Sequence, residues 1–181
     1  MTHIVVDNFA PLGLIRSLAA TWLPADSGHW HLYDNGKRAT KDAAHIPRAG
    51  RALLEQMAAI DVEAAIGVAG AFPDLEYLHG AGLHQIDAGG LLGRHLDSER
   101  HPVLPWKREA SAVLYVDDCD GGELVIGDER IDVVQNRLVL FSTPGQWHRV
   151  AECRSIRRSV CLFFWRIDNR IHGRTRANFE G

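Results

Sequence analysis

The apolar residues in the first eighty or so positions recur with the spacing of helices. Residues 11–23 and 49–60 each carry apolar side chains every three or four positions, and Pro11 suits the first turn of a helix. A third helical stretch is predicted over residues 62–68, ahead of Pro73, and a short strand over residues 4–6. The front of the chain is therefore predicted to be mainly helical.

From residue 83 onward the pattern changes to short runs typical of strands, separated by Gly, Asp and Pro. The predicted strands cover residues 83–86, 91–97, 111–116, 123–126, 130–133, 138–141, 148–150 and 155–165. Residues 30–33 form a further predicted strand, and Asn35-Gly36 after it is a strong hairpin signal because both residues tolerate positive φ. Many short strands with turns between them predict a sandwich or a barrel.

Together these patterns predict one domain over residues 1–181, mostly β with N-terminal helices, which is an α+β fold. The helical and mixed front part covers about residues 1–80, the β core about residues 81–167, and a C-terminal tail residues 168–181. A chain of 181 residues is long enough to bury a single sizeable core.

The composition narrows the classes of partner. Hydrophobic residues make up 46% and charged residues 24% of the chain, and the net charge is −3. This charge provides no basic field for a phosphate backbone, so nucleic acid is not expected as a partner. Three cysteines without a C-x-x-C pair argue for a reducing compartment, and we expect a cytoplasmic location. No apolar run approaches the ~18 residues of a membrane span, so no membrane partner is expected.

Four polar residues in the β half carry the candidate chemistry. His95 and Asp97 lie two positions apart on a predicted strand, so both side chains point to the same face. A later strand supplies His148, which completes a set of two imidazoles and one carboxylate. Such a set leaves coordination positions open and is the signature of non-haem Fe(II) oxygenases. Arg157, on the next predicted strand, can hold the carboxylate of an organic cosubstrate.

Other motifs accompany these four residues in a fixed order. Residues 83–90 lead into His95, Gly121-Gly122-Glu123-Leu124 follows Asp97, residues 137–141 and a Pro-Gly turn precede His148, and the last motif is Arg157-x-Ser159. In this ordered set the chain resembles the Fe(II)- and 2-oxoglutarate-dependent dioxygenases, in particular their prolyl-4-hydroxylase-like branch. The resemblance spans roughly the second half of the chain.

The resemblance implies a double-stranded β-helix, or jelly roll, buttressed by the front helices. It implies that His95, Asp97 and His148 are the catalytic residues and bind Fe(II). The cosubstrate is then 2-oxoglutarate, with ascorbate as the reductant expected in vitro.

The resemblance also assigns contacts to the cosubstrate. It implies that Arg157 and Ser159 bind the far carboxylate of 2-oxoglutarate, with Arg158 on the opposite face of the strand. Family members often place a tyrosine near the strand before the first histidine, and this chain has none between residues 83 and 97. His84 is the candidate replacement at this cosubstrate contact, with Gln85 as the alternative.

Two loops are candidates for the rim of the site. Residues 98–108 follow Asp97 directly, contain two prolines, and combine Trp106 with several cations that include Arg108. Such a segment can place an apolar wall and an anion-binding group beside the metal, or it can serve only as a surface connection. Residues 30–38 are the second candidate.

The leading hypothesis is an oxygenase that hydroxylates an unactivated C–H bond of a small molecule or a free amino acid. Dioxygen is then the second substrate, and succinate and CO2 are the co-products. A peptidyl, prolyl-type hydroxylase is an alternative, although the small chain favours a small substrate. A cupin-type dioxygenase without 2-oxoglutarate is another alternative, but the only His-x-His pair, His29-Trp30-His31, lies outside the strand-rich half. A non-catalytic binding protein that retains the barrel is the third. The sequence carries no signal for the oligomeric state.

Overall fold

Strands dominate the described part of the chain, residues 3–33 and 35–168 of a computed structural model. The strands are β1 (His3–Val6), β2 (Trp30–Leu32), β3 (Lys37–Thr40), β4 (Phe72–Pro73), β5 (Gly82–Ile86), β6 (Leu92–His95), β7 (Trp106–Tyr115), β8 (Leu124–Ile126), β9 (Glu129–Ile131), β10 (Leu138–Ser142), β11 (His148–Val150) and β12 (Arg157–Ile167). The helices are α1 (Leu12–Ala20), α2 (Arg48–Ala58) and α3 (Val62–Ile66), with a short 3-10 helix at Ala43–His45.

The strands form two antiparallel sheets. The larger sheet has the order β1-β10-β7-β12-β5-β3-β2, and β4 pairs with the far end of β12. The smaller sheet has the order β6-β11-β8-β9. The core strands β5 to β12 alternate between the two sheets, except that the β8–β9 hairpin lies within the smaller sheet, and this is the topology of a double-stranded β-helix. The predicted jelly-roll fold is confirmed.

The helices cover the outer face of the larger sheet. Helix α2 packs against β5 and β12, and α1 packs against α2. Gly50 allows the close approach of α2, because a Cβ at this position would lie 2.8 Å from Ile46 Cγ2 and 3.4 Å from Leu83 Cδ2. Leu53 and Met57 from the apolar stripe of α2 are fully buried. The helices therefore buttress the sheet, as the sequence predicted.

Alternation along β12 separates this helix-facing core from an inner cavity between the sheets. Arg157, Cys161 and Phe163 line the cavity. Val160 and Leu162 are fully buried and belong to the hydrophobic core. Since neighbouring side chains on a strand point to opposite faces, these two residues face the helices.

The predicted elements agree with the observed ones in type and order, with differences at their ends. Strand β7 begins at Trp106, five residues before the predicted start, so the predicted rim loop 98–108 is partly strand. Strands β3 and β4 and the 3-10 helix were not predicted. The Asn35-Gly36 hairpin between β2 and β3 is present, with Gly36 at φ 77°. Of the predicted tail 168–181, residues 169–181 lie outside the described residues, and the single-domain assignment stays a prediction.

None of the helices in the described ranges is long and apolar enough to cross a lipid bilayer.

The start of α1 is attached to the core by one side chain. Asn136 is buried, and its amide accepts a hydrogen bond from Ala10 N at 2.9 Å and donates one to Ala10 O at 2.7 Å. Its backbone has φ 62°, which Asn tolerates better than most residues. The side chain therefore satisfies two backbone groups that would otherwise be buried without partners.

We predict that Asn136→Ala lowers the free energy of unfolding by about 2–4 kcal/mol, because two buried hydrogen bonds are lost at a position of positive φ. Asn136→Gly should cost less, since glycine accepts this φ, and the difference between the variants measures the backbone contribution. Urea denaturation followed by circular dichroism checks both values. A loss for Asn136→Ala within the ~0.5 kcal/mol typical of surface substitutions would contradict the assignment.

Candidate active site

Three polar side chains converge where the smaller sheet faces the cavity. His95 is the last residue of β6 and His148 the first of β11, and the two are direct cross-strand partners. Their ring centroids lie 4.3 Å apart. Asp97 follows β6, and its Oδ1 is 3.7 Å from His95 Nε2 and 3.5 Å from His148 Nε2. The three candidate ligand atoms all lie within 4.8 Å of one another.

Backbone contacts orient both imidazoles towards the same point. His95 Nδ1 is 2.8 Å from Gly93 O, and His148 Nδ1 is 3.1 Å from Gln146 O. A carbonyl accepts a hydrogen bond, so in each ring Nδ1 carries the proton and Nε2 presents its lone pair. Each contact joins a histidine to the carbonyl two residues earlier, so the strand ends themselves set the tautomers.

The two oxygens of Asp97 have different surroundings. Oδ1 faces the two histidines, whereas Oδ2 accepts a hydrogen bond from Ser111 Oγ at 2.9 Å and lies 3.3 Å from Arg108 NH1. Burial raises the pKa of this carboxyl, but the neighbouring His148 and His95 and the charge of Arg108 outweigh it and hold the pKa well below its usual range. Asp97 is therefore an anion. Ser111 and Arg108 hold its Oδ2, and its Oδ1 is available to a metal ion.

An irregularity in β7 brings Arg108 to this carboxylate. The pairing of β12 with β7 shifts between Phe164 and Trp165, so that Glu109 is an extra residue in β7. Because of this extra residue, Arg108 lies on the same face as Ser111 instead of the opposite one. Arg108 is buried, and its guanidinium carbon is 3.7 Å from the centroid of the Phe163 ring.

The predicted rim role of residues 98–108 is wrong in its details. Arg108 is an internal partner of Asp97 rather than a loop cation, and Trp106 packs edge-on against Phe72 with ring centroids 4.9 Å apart. Neither residue lines the cavity, and the same holds for Lys107. The cause is that β7 begins at Trp106, so this part of the segment pairs with β12.

The cavity between the sheets is mostly apolar, with a few charged groups. The space inside it, open solvent included, is about 560 Å³. The polar and charged side chains that line it are those of Lys37, His84, His95, Asp97, Ser111, His148 and Arg157. The apolar lining comes from both sheets and comprises Ile86, Leu92, Val113, Leu124, Phe141, Val150, Cys161 and Phe163.

Arg157 points into this cavity, as the sequence predicted, and Arg158 points away from it. Arg157 Nε donates a hydrogen bond to Gly122 O at 3.0 Å, which leaves its terminal nitrogens for other acceptors. Arg158 forms an ion pair with Asp117 at 2.6 Å on the outer face, with its guanidinium carbon 5.3 Å from the Trp22 ring centroid. The strand register therefore distinguishes the two arginines.

The Gly121-Gly122 turn creates the space for Arg157. Gly122 has φ 66°, and a Cβ at this position would lie 3.0 Å from Arg157 Cδ and 2.9 Å from Cys153 Sγ. A larger residue would displace the arginine.

Tyr115 was not among the predicted site residues, and the structure places it beside Arg157. The guanidinium carbon of Arg157 lies 4.9 Å from the centroid of the Tyr115 ring. The Tyr115 hydroxyl is buried and makes no hydrogen bond within the described residues. Burial raises the pKa of this tyrosine, and Arg157 partly offsets the effect. The resemblance to the family pointed to a tyrosine near residue 84, but the tyrosine comes from β7, two strands away in the sheet.

The other predicted cosubstrate contacts differ in their access to the cavity. His84 lines it, with Nε2 2.7 Å from Gly80 O, and burial keeps the pKa of His84 well below its usual value. Ser159 shares the strand face of Arg157 but is fully buried, with Oγ 3.8 Å from Cys161 Sγ, and it does not line the cavity. Lys37 also lines the cavity and comes from the second predicted rim segment, residues 30–38.

These residues fit a divalent metal and a dicarboxylate. Two neutral imidazoles and one carboxylate are the donor set that suits Fe(II) and leaves positions open. The buried Tyr115 hydroxyl has no hydrogen-bond partner among the described residues, and the Arg157 guanidinium lies beside it, so a carboxylate bound at this place would give both groups an acceptor.

The comparisons with known proteins agree with this donor set. Residues 81–166 match the family model of the 2OG-Fe(II) oxygenase superfamily. No curated protein matches the chain in sequence. On the family match, the jelly-roll part of the chain is a 2OG-Fe(II) oxygenase domain. The protein is thus a dioxygenase, and the cofactors of its family are Fe(II) and 2-oxoglutarate.

Solved structures show the same fold over nearly the whole chain. A prolyl-4-hydroxylase from Pseudomonas putida has a TM-score of 0.72 at 21% identity, covering 91% of this chain and 92% of its own. A Trichoplax adhaerens prolyl hydroxylase, in complex with a hypoxia inducible factor peptide fragment, has a TM-score of 0.66 at 15% identity over 96% and 87%. The non-heme alpha ketoglutarate dependent epimerase SnoN from nogalamycin biosynthesis has a TM-score of 0.67 at 12% identity over 91% and 78%.

We predict that Arg108→Met lowers the free energy of unfolding of the metal-free protein by about 2–5 kcal/mol, because it leaves the Asp97 carboxylate buried without its cation. Ser111→Ala is the matched control, since it removes one neutral hydrogen bond from the same oxygen and should cost about 1 kcal/mol. Chemical denaturation of both variants checks the values. Equal losses would mean that the Arg108 charge does not stabilise Asp97.

Proposed function

We propose that this protein hydroxylates an unactivated C–H bond of a small molecule or a free amino acid. In this proposal His95, Asp97 and His148 hold the Fe(II), and Arg157 binds the far carboxylate of 2-oxoglutarate. The observation that carries it is the convergence of two imidazole lone pairs and one carboxylate oxygen within 4.8 Å, in a cavity that Arg157 also enters.

In this proposal, the groups that contact the three metal-binding side chains orient them. The Gly93 and Gln146 carbonyls keep both Nε2 atoms unprotonated and directed at the metal position. Ser111 and Arg108 hold Asp97 Oδ2, so that Oδ1 is the ligand oxygen. When bound, Fe(II) with 2-oxoglutarate and dioxygen supplies the oxidising power, and succinate and CO2 leave as co-products.

Arg157 and the apolar walls prepare the cosubstrate position. Arg157 is buried, and its guanidinium lies next to Tyr115. A bidentate contact to a carboxylate is stronger in such a place than in water. Apolar walls surround this position, with Leu92, Leu124 and Val150 from the smaller sheet and Phe141 and Val113 from the larger one. His84 and Ser159 remain proposed contacts of the cosubstrate region, His84 at the cavity surface and Ser159 behind it.

A peptidyl, prolyl-type hydroxylase is the second candidate function. It is supported by the fold likeness to two prolyl hydroxylases, one of them in complex with a peptide fragment. The fold likeness to SnoN, an epimerase from a biosynthetic pathway, supports a small-molecule substrate equally. The family match to the 2OG-Fe(II) oxygenases removes the support for a cupin-type dioxygenase without 2-oxoglutarate.

The metal ligands are tested by binding rather than by turnover alone. We predict that His95→Ala, Asp97→Ala and His148→Ala each weaken Co(II) binding by at least about 100-fold while the protein remains folded, because one of three ligands is lost. Visible absorption of the Co(II) complex measures the affinity, and circular dichroism checks the fold. His31→Ala, at an exposed position on β2, is the control. Undiminished Co(II) binding in any two of the three variants would rule out this ligand set.

The cosubstrate site is tested with the two neighbouring arginines. We predict that Arg157→Ala weakens 2-oxoglutarate binding to the Fe(II)-loaded protein at least tenfold, since a charge-assisted pair in a desolvated pocket contributes about 2–5 kcal/mol. Arg158→Ala, on the opposite strand face, should leave it unchanged. Anaerobic titration monitors binding, and succinate release monitors turnover. Weaker binding in Arg158→Ala and unchanged binding in Arg157→Ala would mean that Arg158, and not Arg157, binds the cosubstrate.

A further inference from the structure

Lys37 is a cavity residue to which the metal and cosubstrate sites assign no role. It lies on β3, where its Cα partner is Ile86 on β5, and Ile86 in turn pairs with Arg157 on β12. Cross-strand partners point to the same face of a sheet, so Lys37 and Arg157 both face the cavity from either side of Ile86. All three residues line it.

The two positive groups diverge from each other. Lys37 Nζ lies 5.1 Å from the ring centroid of Tyr33, next to β2 at one edge of the larger sheet. The Arg157 guanidinium leans the other way, over Tyr115 on β7. The two positive groups therefore lie against different strands of the larger sheet, and the group at Lys37 is the one nearer to the sheet edge.

No carboxylate among the described residues forms an ion pair with Lys37. Within residues 3–33 and 35–168, the only carboxylate that lines the cavity is that of Asp97, and Ser111 and Arg108 already hold one of its oxygens. Burial lowers the pKa of Lys37 from its ordinary value, because the ammonium is partly removed from water and no nearby anion compensates for the lost hydration.

The charges of the loaded cavity do not balance without a further anion. In a sum of formal charges over the loaded cavity, Arg108 cancels Asp97, and Fe(II) cancels the two carboxylates of 2-oxoglutarate. The positive charges of Lys37 and Arg157 then remain in a cavity with mostly apolar walls. Such a cavity attracts an anionic molecule and disfavours a neutral one.

We propose that Lys37 binds a carboxylate of the primary substrate, so that the substrate is a small carboxylic acid, a class that includes free amino acids. This inference rests on the proposed function, because it assumes that Arg157 is occupied by 2-oxoglutarate. A residue inside a peptide chain has lost its α-carboxylate to an amide bond and lacks this group. Lys37 is thus a specificity residue that separates the two candidate functions.

The first test needs no knowledge of the substrate. Lys37→Met removes the charge but keeps a side chain of similar length, so the thermal unfolding temperature of the variant should be equal to or above that of the wild type, since a partly buried ammonium without an ion-pair partner is lost. Lys107→Met, outside the cavity, is the matched control. A clear loss of stability in Lys37→Met alone would show that Lys37 has an anionic partner within the protein, and would overturn the proposal.

The second test compares acids with their primary amides. The Fe(II)-loaded protein with 2-oxoglutarate is titrated anaerobically with the standard L-amino acids and a set of aliphatic and aromatic carboxylic acids, each paired with its amide. We expect at least one acid to bind about tenfold or more tightly than its amide, and this preference to disappear in Lys37→Met and return in Lys37→Arg. Affinity for 2-oxoglutarate should be the same in wild type and Lys37→Met.

Three results would overturn the proposal. They are equal binding of acids and amides or no binding of any acid, preferential binding of a proline-containing peptide, and loss of 2-oxoglutarate affinity in Lys37→Met to the extent seen in Arg157→Ala. The last would make Lys37 part of the cosubstrate site. Failure of the wild type to bind 2-oxoglutarate at all would instead refute the proposed function, so the two failures are distinguishable.

Discussion

The carboxylate of Asp97 is the group on which the arrangement of the cavity depends. It lies between two sheets, and its two oxygens connect them, because Oδ1 faces the histidines of the smaller sheet and Oδ2 contacts Ser111 and Arg108 of the larger one. Burial alone would favour the neutral acid, and the surrounding donors reverse this preference. An anion is therefore held in place before any metal binds, and the cavity is organised around it.

Charge distribution distinguishes this cavity from a generic apolar pocket. Among the residues that the structure describes, its one carboxylate is paired with an arginine, and two further cations, Lys37 and Arg157, line the cavity from different strands. Since a buried charge without a partner is costly, the protein maintains these cations at the expense of stability. Such a cost is typical of a site that binds charged ligands. Carboxylates of two bound ligands, the cosubstrate and the substrate, would give both cations a partner.

The fold explains how residues far apart in the chain meet at this point. The smaller sheet supplies the histidines through the pairing of β6 with β11, and the larger sheet supplies Arg157, Tyr115 and Lys37 from three different strands. Each of these contacts depends on the order of strands within a sheet. Helices α1 and α2 contribute by covering the outer face, which leaves the inner face for polar residues.

The spacing of apolar residues and the order of the motifs in the sequence were sufficient to predict the fold class and to name the candidate metal ligands. Strands with short turns, the His95-x-Asp97 pair, His148 and the Arg157-x-Ser159 motif are local patterns, and side-chain alternation already separated Arg157 from Arg158. The tertiary structure decided the rest. The extra residue Glu109 turns Arg108 towards Asp97 against the simple alternation of the strand, and no local pattern signals such a shift. The contact of Tyr115 with Arg157 and the position of Lys37 at the cavity likewise follow from the strand order β7-β12-β5-β3, because contacts across a sheet are set by pairing between distant segments rather than by neighbouring residues.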